Sequence, residues 1–556
     1  MKLCGSDIIV RTLIDQGVDV LFGYPGGQVI NIFDSLYKYQ DEIRHVLTAH
    51  EQGASHAADG YSRATGRVGV CLATSGPGAT NLVTGIATAF LDSIPMVAIT
   101  GNVPDTVIGT DGFQEIDITG ITLPITKHNY FVSDIEELQD TIREAFRLAA
   151  SGRPGPVLVD VTKDVQQAMY DYEPLPPLPL FTREAAKEIR IQEAAQCINN
   201  AQRPFVYFGG GMIPSEAQDE LLQLAEKLDA PIGCSLMGIS AIPSDYPRFL
   251  GMQGLHGHYA CSTAMHNADV VIALGCRFND RCTGNRSKFA PGAKIVHIDI
   301  DGAELSKSIT AAHGLRGDIK KTLQKLLPLV QKQVHPQWQE QVAAYVDYEE
   351  QNADHREGLT PRNVLSALNR HLNENTPVAT DVGQHQMWAA QYLNIRNTRR
   401  FISSGGLGTM GFGMGAAIGA QMGTGEKSVL ITGDGSFGMN LTELATAYAN
   451  NVPMVILLLN NRVLGMVRQL QTILCDGRYS NTDLAPRQTD FLTVAKGFGI
   501  PGTHAASLEE LEAALEIAFA HNGPYLIECP IDREELVLPM VAPGGSTGDL
   551  IVRIGD

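Results

Sequence analysis

The sequence predicts an α/β fold of several doubly wound parallel-sheet domains, and three observations lead there. Runs rich in Val, Ile and Leu alternate with helical-period stretches and Gly turns along the whole chain, as parallel strands covered on both faces require. The 556 residues correspond to about three or four domains at roughly 150 residues each. Hydrophobic residues supply 44% and charged residues 19% of the chain, a balance that suits packed domains and excludes a disordered chain. The net charge of −19, with no basic block, argues against a nucleic-acid partner and leaves small-molecule chemistry as the expectation.

Along the chain, Asp7, Arg11, Asp15 and Asp19 interrupt any signal-peptide core, and a Gly-rich motif begins by Gly23, so no targeting extension is expected. The longest apolar run, Val452 to Leu459, has the length of a buried strand and falls well short of the roughly 18 residues of a bilayer span, so no membrane partner is expected. The nine cysteines are scattered, odd in number and never spaced C-x-x-C. Neither a zinc site nor a disulfide framework is indicated, which fits a cytoplasmic protein.

Proline and charge divide the chain. Four prolines within Tyr172 to Leu180 cannot sit in a helix or central strand and read as an extended linker. The expected division is a first domain over 1–165, a linker over 166–185 and a central domain over 186–345. A Gln- and charge-rich stretch follows, then a third domain over 358–540 whose first helix starts near Thr360, and a tail over 541–556 read as a lid. The first and third domains share size and strand–helix rhythm, as a duplicated nucleotide-binding-like fold would.

The segment KSVLITGDGSFGMNLTELATAYANNVPMVILLLNNRVLGMV reads as one strand–turn–helix–strand unit. Its turn, Gly433 to Gly438, matches G-x-G-x-x-G. A dinucleotide site would then place an acidic residue about 20 positions on, at the end of the next strand. Asn460 and Asn461 stand there instead. Asp434 and Asn461, at the tips of neighbouring strands, would meet at one sheet edge as hard oxygen ligands for an octahedral Mg²⁺ carrying a diphosphate. The glycines let backbone approach that diphosphate.

GDG, 24 residues, then NN resembles the signature of thiamin diphosphate enzymes. The resemblance implies a metal held by the side chains of Asp434 and Asn461 and the carbonyl of Val463, and a carboxylate against the aminopyrimidine ring. Within HVLTAHEQGASHAADGYSRATG, a strand ends near Ala49 and a helix starts at His50-Glu51, so Glu51 enters a cleft from a strand end. On the residues alone, a solvated glutamate stabilised by the helix macrodipole is the alternative. His50 and His56 do not complete H-E-x-x-H, so a zinc protease reading fails on spacing.

A wider resemblance, to the catalytic subunits of acetohydroxyacid (acetolactate) synthases, covers nearly the whole chain. It is carried by GYPGG (23–27), SGPGATN (75–81), GFQE (112–115), RPGPVLVDVTKD (153–164), RFNDRCTGN (277–285), DVGQHQMWAAQY (381–392) and GGLGTMGFG (405–413). It implies that pyruvate is decarboxylated and its two-carbon unit condensed with a second 2-oxoacid, pyruvate or 2-oxobutyrate, in branched-chain amino-acid biosynthesis. Glu51, Gln114 and Lys163 are the implied catalytic residues, and Gly27, Pro77 and Asn81 accompany Glu51 at the cofactor. Gln384 and His385 would approach the diphosphate with Gly433, Asp434, Gly435 and Ser436, while the Gly408 backbone and Met410 side chain hold the ring. Phe113, Arg281, Val382, Met466 and Leu470 are implied for substrate.

Phe113, Gln114 and Lys163 would face the active site of a neighbouring subunit, which implies a homodimer or homotetramer; core packing is the alternative for Phe113. A small regulatory subunit is a further implied partner. In the middle domain the segments FVYFGGGM (205–212), SLMG (235–238), GMQGLHG (251–257) and RFNDR (277–281) resemble FAD-binding elements. FAD would be mainly structural and held by Gly209, Gly210, Gly211, Leu236, Met237, His256, Gly275, Arg277 and Arg281. For Arg281 an acceptor-carboxylate fork and a flavin-region ion pair stand as equal readings. Three positions depart from the family pattern: Leu470 replaces a bulky indole, Asn279 an aspartate and Leu255 a methionine. Since an apolar pocket discriminates one methylene by only about 1–3 kcal/mol, Leu470 predicts acetolactate as the favoured product and low sulfonylurea sensitivity. A simple 2-oxoacid decarboxylase or a pyruvate oxidase is the rival. Decarboxylases of the pyruvate type carry paired histidines near the place of Phe113-Gln114.

Overall fold

A computed structural model describes residues 1–542 and 544–553. It contains three six-stranded sheets, every ladder of which is parallel. The first sheet runs, edge to edge, Arg44–Leu47, Val20–Gly23, Gly69–Ala73, Met96–Asn102, Pro156–Thr162, His128–Val132. The third runs Phe401–Ile402, Val378–Thr380, Ser428–Gly433, Met454–Asn460, Pro524–Pro530, Gly502–His504. Ranked by position in the chain, both have the order 2-1-3-4-6-5, which gives the shared strand–helix rhythm its structural basis. The middle sheet differs: Phe249–Met252, Ile232–Cys234, Pro204–Phe208, Val270–Leu274, Lys294–Asp299, His313–Arg316, the order 3-2-1-4-5-6 of dinucleotide-binding sheets.

The central strands are buried at every residue, as in Gly69–Ala73, Met96–Asn102, Ser428–Gly433 and Met454–Asn460. Helices on both faces therefore make unbroken apolar runs the stable sequence for these strands, each fully buried Val, Ile or Leu contributing roughly 1.5–3 kcal/mol. In every sheet the direction of winding reverses beside the first strand. The reversal opens a crevice at the carboxyl ends of the two strands flanking it. Those ends are Gly23 and Ala73 in the first sheet, Phe208 and Leu274 in the middle one, and Thr380 and Gly433 in the third.

The first and third domains meet through helices Glu51–Thr65 and Phe412–Thr424. A Cβ at Gly60 would strike the Ala416 carbonyl, and one at Gly419 the Ala57 carbonyl. Glycine here permits backbone-to-backbone contact that no other residue allows.

Two boundaries differ from the sequence expectation. Lys163–Gln167 is helical, and Met169–Asp171 pairs antiparallel with Lys2–Cys4, so the extended segment begins at Tyr172 and not at 166. Three-residue strands so far apart in sequence leave no local periodicity to read. Helix Pro336–Gln351 crosses residue 345; its Trp338 is buried and donates to the Pro204 carbonyl at 3.1 Å, which ties the whole helix to the middle sheet. In the tail, Met540–Val541 pairs with Leu550–Ile551, Val541 N donates to Leu255 O and Asn285 N to Gly545 O, both at 2.9 Å. Pro543 and residues 554–556 of the expected lid lie outside the described residues.

Candidate active site

Glu51 is the first residue of its helix, capped by His50, whose Nδ1 accepts from Gln52 N at 3.0 Å. Its Oε2 accepts from Asn81 Nδ2 at 3.0 Å. Asn81 closes the short helix Pro77–Asn81, which starts at the switch point after Gly76. Gly76 is left-handed (φ +60°), and a Cβ on it would lie 2.8 Å from Gln114 Cβ. Glu51, Pro77, Asn81 and Gln114 thus gather at one crevice. On its other wall Lys163 Nζ donates to Gly27 O at 3.1 Å. Phe113 is 84% exposed, which excludes core packing within this chain. His56 is buried against Phe412, with ring centroids 5.3 Å apart, and burial holds it neutral with a pKa lowered to about 3.

The second crevice lies in the third domain. Asp434 follows strand Ser428–Gly433 directly and opens helix Asp434–Asn440. Burial pushes its carboxyl up to about 6, offset in part by backbone N–H groups and by the charge of Arg487, and no ion pair reaches it among the described residues. Asn461 stands after the adjacent strand; its Oδ1 accepts from Val463 N at 3.2 Å and its Nδ2 donates to Gln384 Oε1 at 3.0 Å. Gln384 Nε2 is spent on the Glu535 carbonyl at 2.7 Å. His385 is buried and kept neutral, its pKa lowered to about 3 by burial, with Nε2 unpartnered. A Cβ at Gly433 would lie 2.8 Å from His385 Nδ1, so glycine is required there. Ser436 Oγ donates to Val382 O at 2.6 Å, and Met410 approaches the open side of Gly435. Gly408 is left-handed at φ +69°. Helix Gly465–Leu474 places Met466 half-buried and Leu470, 39% exposed, one turn apart.

Among the described residues no hydrogen bond joins the Glu51 group to the Asp434 group. Three buried acids that the sequence reading passed over organise the two crevices. Asp381 Oδ1 accepts from Val382 N at 3.0 Å and Gly411 N at 2.8 Å, setting the turn between them. Glu443 accepts from His50 N at 3.0 Å and Ala49 N at 3.2 Å, fixing the chain just before Glu51. Asp92 holds the Gly405–Gly406 backbone. Only Asp381 had a local signal, as an acid directly after a strand.

Three profiles of thiamine pyrophosphate enzymes match in chain order: the N-terminal TPP binding domain over residues 3–121, the central domain over 191–326 and the C-terminal TPP binding domain over 381–529. The chain is 44% identical to the acetolactate synthase isozyme 2 large subunit of Escherichia coli, over 99% of this chain and 100% of that one. The acetolactate synthase large subunit of Corynebacterium glutamicum is 42% identical over 100% of this chain and 91% of its own, and a probable one of Methanocaldococcus jannaschii is 44% identical over 98% and 95%. The chain belongs to the acetolactate synthase large-subunit family. These synthases are thiamine pyrophosphate enzymes, and the three sheets are the three domains of that family.

The residues present fit the cofactors of acetolactate synthases. A buried carboxylate without an ion pair among the described residues, an amide oxygen and a backbone carbonyl, from Asp434, Asn461 and Val463, form a hard-oxygen set suited to Mg²⁺. Nothing stands within 4 Å of a Cβ at Gly27 or Gly438, which leaves room beside both crevices. In the middle domain, a Cβ at Gly209 would lie 2.5 Å from Gly275 O, and one at Gly211 2.8 Å from Gly275 Cα, so these glycines let two turns touch at the switch point. Gly210 faces Met237, in the short turn Leu236–Gly238. His256 Nδ1, Gln253 Oε1 and Gln391 Oε1 are buried without partners among the described residues, which suits them to a bound polar group. His256 is held neutral, its pKa lowered to about 4 by burial and then by Arg281. Arg277 donates to the Leu91 carbonyl in the first domain. The Arg281 side chain is 73% exposed and only 3.8 Å from Asp280, a loose ion pair that leaves its fork free.

Proposed function

We propose that this chain is the catalytic subunit that decarboxylates pyruvate and joins the two-carbon unit to a second 2-oxoacid, giving 2-acetolactate from pyruvate or 2-aceto-2-hydroxybutyrate from 2-oxobutyrate. The observation that carries this reading is the pairing of two switch-point crevices, one with Glu51 anchored by Asn81 and the other with Asp434 beside Asn461, in a chain collinear with acetolactate synthase large subunits. Bound thiamin diphosphate supplies the nucleophilic carbon and the electron sink for decarboxylation. Glu51 would hold and return the proton at the aminopyrimidine nitrogen, and the Asn81 amide orients its carboxylate for that exchange. Asp434, Asn461 and Val463 would hold Mg²⁺, with Gly433, Gly435, Ser436, Gln384 and His385 around the diphosphate and Gly408 and Met410 at the ring. Neutral His385 adds no charge to that site.

Phe113, Gln114 and Lys163, in the crevice of Glu51, would face the Asp434 site of the neighbouring subunit; the exposed Phe113 supports a homodimer, or a pair of dimers, as the working unit. Arg281 would bind the acceptor carboxylate, and Val382, Met466 and Leu470 would line its apolar side. FAD would lie along the middle domain's switch point in a structural role, since the net reaction is not a redox one. A small regulatory subunit and a cytoplasmic setting complete the reading. No helix of the described chain is long and apolar enough to cross a membrane. The test is incubation of purified protein with pyruvate, thiamin diphosphate, Mg²⁺ and FAD. Acetolactate is the expected product; acetaldehyde or acetyl phosphate in its place would favour a decarboxylase or an oxidase.

A further inference from the structure

The loop Ser403–Gly411 carries Gly408 and Met410, yet much of what fixes it comes from the first domain of the same chain. Asp92, the last residue of helix Val83–Asp92, sets its carboxylate on two consecutive backbone donors, Gly406 N at 2.7 Å and Gly405 N at 3.1 Å. The same carboxylate accepts from Arg63 Nη2 at 2.9 Å, and Arg63 Nη1 donates to Ser403 O at 2.8 Å. Arg63 is itself gripped by Asp59, one helical turn earlier. The side chains of Asp59 and Asp92 are 0% exposed and that of Arg63 6%. One turn before Asp92, the Thr88 hydroxyl meets the Thr409 hydroxyl at 2.8 Å, beside Met410. The loop is therefore tethered along one edge by the first domain, while Gly406, Leu407 and Gly408 remain exposed.

A buried ion triad is a poor device for stability alone, because desolvation of its charges offsets most of the attraction. A carboxylate that spans two adjacent N–H groups is a strong device for fixing a backbone. We propose that Asp92, backed by Arg63, is a positioning residue for the thiamin ring: it fixes Gly405–Gly406 so that Gly408 and Met410 form a preformed cradle, and it thereby sets cofactor affinity more than turnover. The proposal rests on the reading of Gly408 and Met410 as the ring site. Helix Glu51–Thr65 then serves two purposes, with the catalytic carboxylate at its first residue and the loop clamp at Arg63 in its last turn.

Titration calorimetry of thiamin diphosphate, with Mg²⁺ in excess, into cofactor-free wild type, Asp92→Asn and Thr88→Val tests this. Asp92→Asn is expected to raise Kd about tenfold or more. Its kcat at saturating cofactor should stay within about threefold and its pyruvate KM should not change. Thr88→Val, which removes one hydroxyl pair and no charge, should raise Kd about threefold. Wild-type affinity in a folded Asp92→Asn, or loss of kcat with affinity intact, overturns the proposal. If Asp92→Asn does not fold, wild-type affinity in Thr88→Val overturns it. No binding to the wild type would overturn the functional reading and the proposal with it, whereas binding by the wild type and unaltered binding by the variants overturns the proposal alone.

Discussion

The first and third domains wind their strands in the same order and put their loops at the same places, yet they carry different chemistry. After the second strand, the first domain presents His50 and Glu51, and the third presents the loop with Gly408 and Met410. After the third strand, one has Ser75–Asn81, whose Asn81 serves Glu51, and the other has Gly433–Gly438, whose Asp434 is a buried carboxylate without an ion pair among the described residues. The helices that follow the second strand in each domain pack on one another through glycine. The fold fixes where a crevice opens, and on the proposed reading a few residues at strand ends decide whether it moves a proton or holds a charged cofactor.

That contrast predicts different failures. Glu51→Gln should reduce acetolactate formation by on the order of 10²–10⁴ while cofactor affinity changes little, because the proton exchange is lost and the diphosphate site is intact; an unchanged rate would break the assignment. Asp434→Asn should do the reverse, raising the half-saturating Mg²⁺ and thiamin diphosphate concentrations by about 10- to 100-fold. Saturating cofactor should restore much of the rate, and an activity titration reads both parameters. Leu470→Trp should move the acceptor preference towards 2-oxobutyrate by about tenfold in competition with pyruvate. A strong 2-oxobutyrate preference in the wild type would sink the reading of Leu470.

The smallest effect concerns the helix that joins the two domains. Folded His56 has a pKa lowered to about 3 by burial, against an ordinary 6.5. Between those values the unfolded chain binds a proton that the folded chain refuses, so this residue costs stability as pH falls below about 6.5 and costs nothing above it. Denaturant midpoints of wild type and His56→Gln, compared from pH 7 to 4.5, should therefore drift against the wild type towards acid. Parallel curves would show that His56 is not held neutral.

Local pattern made much of this legible. The run at Val452–Leu459 is the strand Met454–Asn460, GDG and NN do end adjacent strands, and Glu51 does open a helix at a crevice. Asp92, Arg63 and Glu443 were not legible, because the contacts that give them their place, Arg63 with Asp92, Asp92 with Gly405 and Glu443 with Ala49, span 29 to 394 residues. Nothing in LDS or TEL distinguishes such an acid from a solvated one. The pairing of Lys2–Cys4 with Met169–Asp171 was hidden for the same reason, and so the linker was drawn too early.

Short-range periodicity and spacing in the sequence were enough for the doubly wound class, the three domains and the placing of Glu51, Asp434 and Asn461 at strand ends; the roles proposed for those residues come from the resemblance to thiamin diphosphate enzymes. Tertiary structure decided which residues share a crevice, that the first and third domains have one topology and the middle one another, and that one helix carries Glu51 at its start and a loop clamp in its last turn. Those outcomes depend on backbones brought into contact across hundreds of residues, where the deciding factor is glycine-permitted approach and the pairing of buried charge.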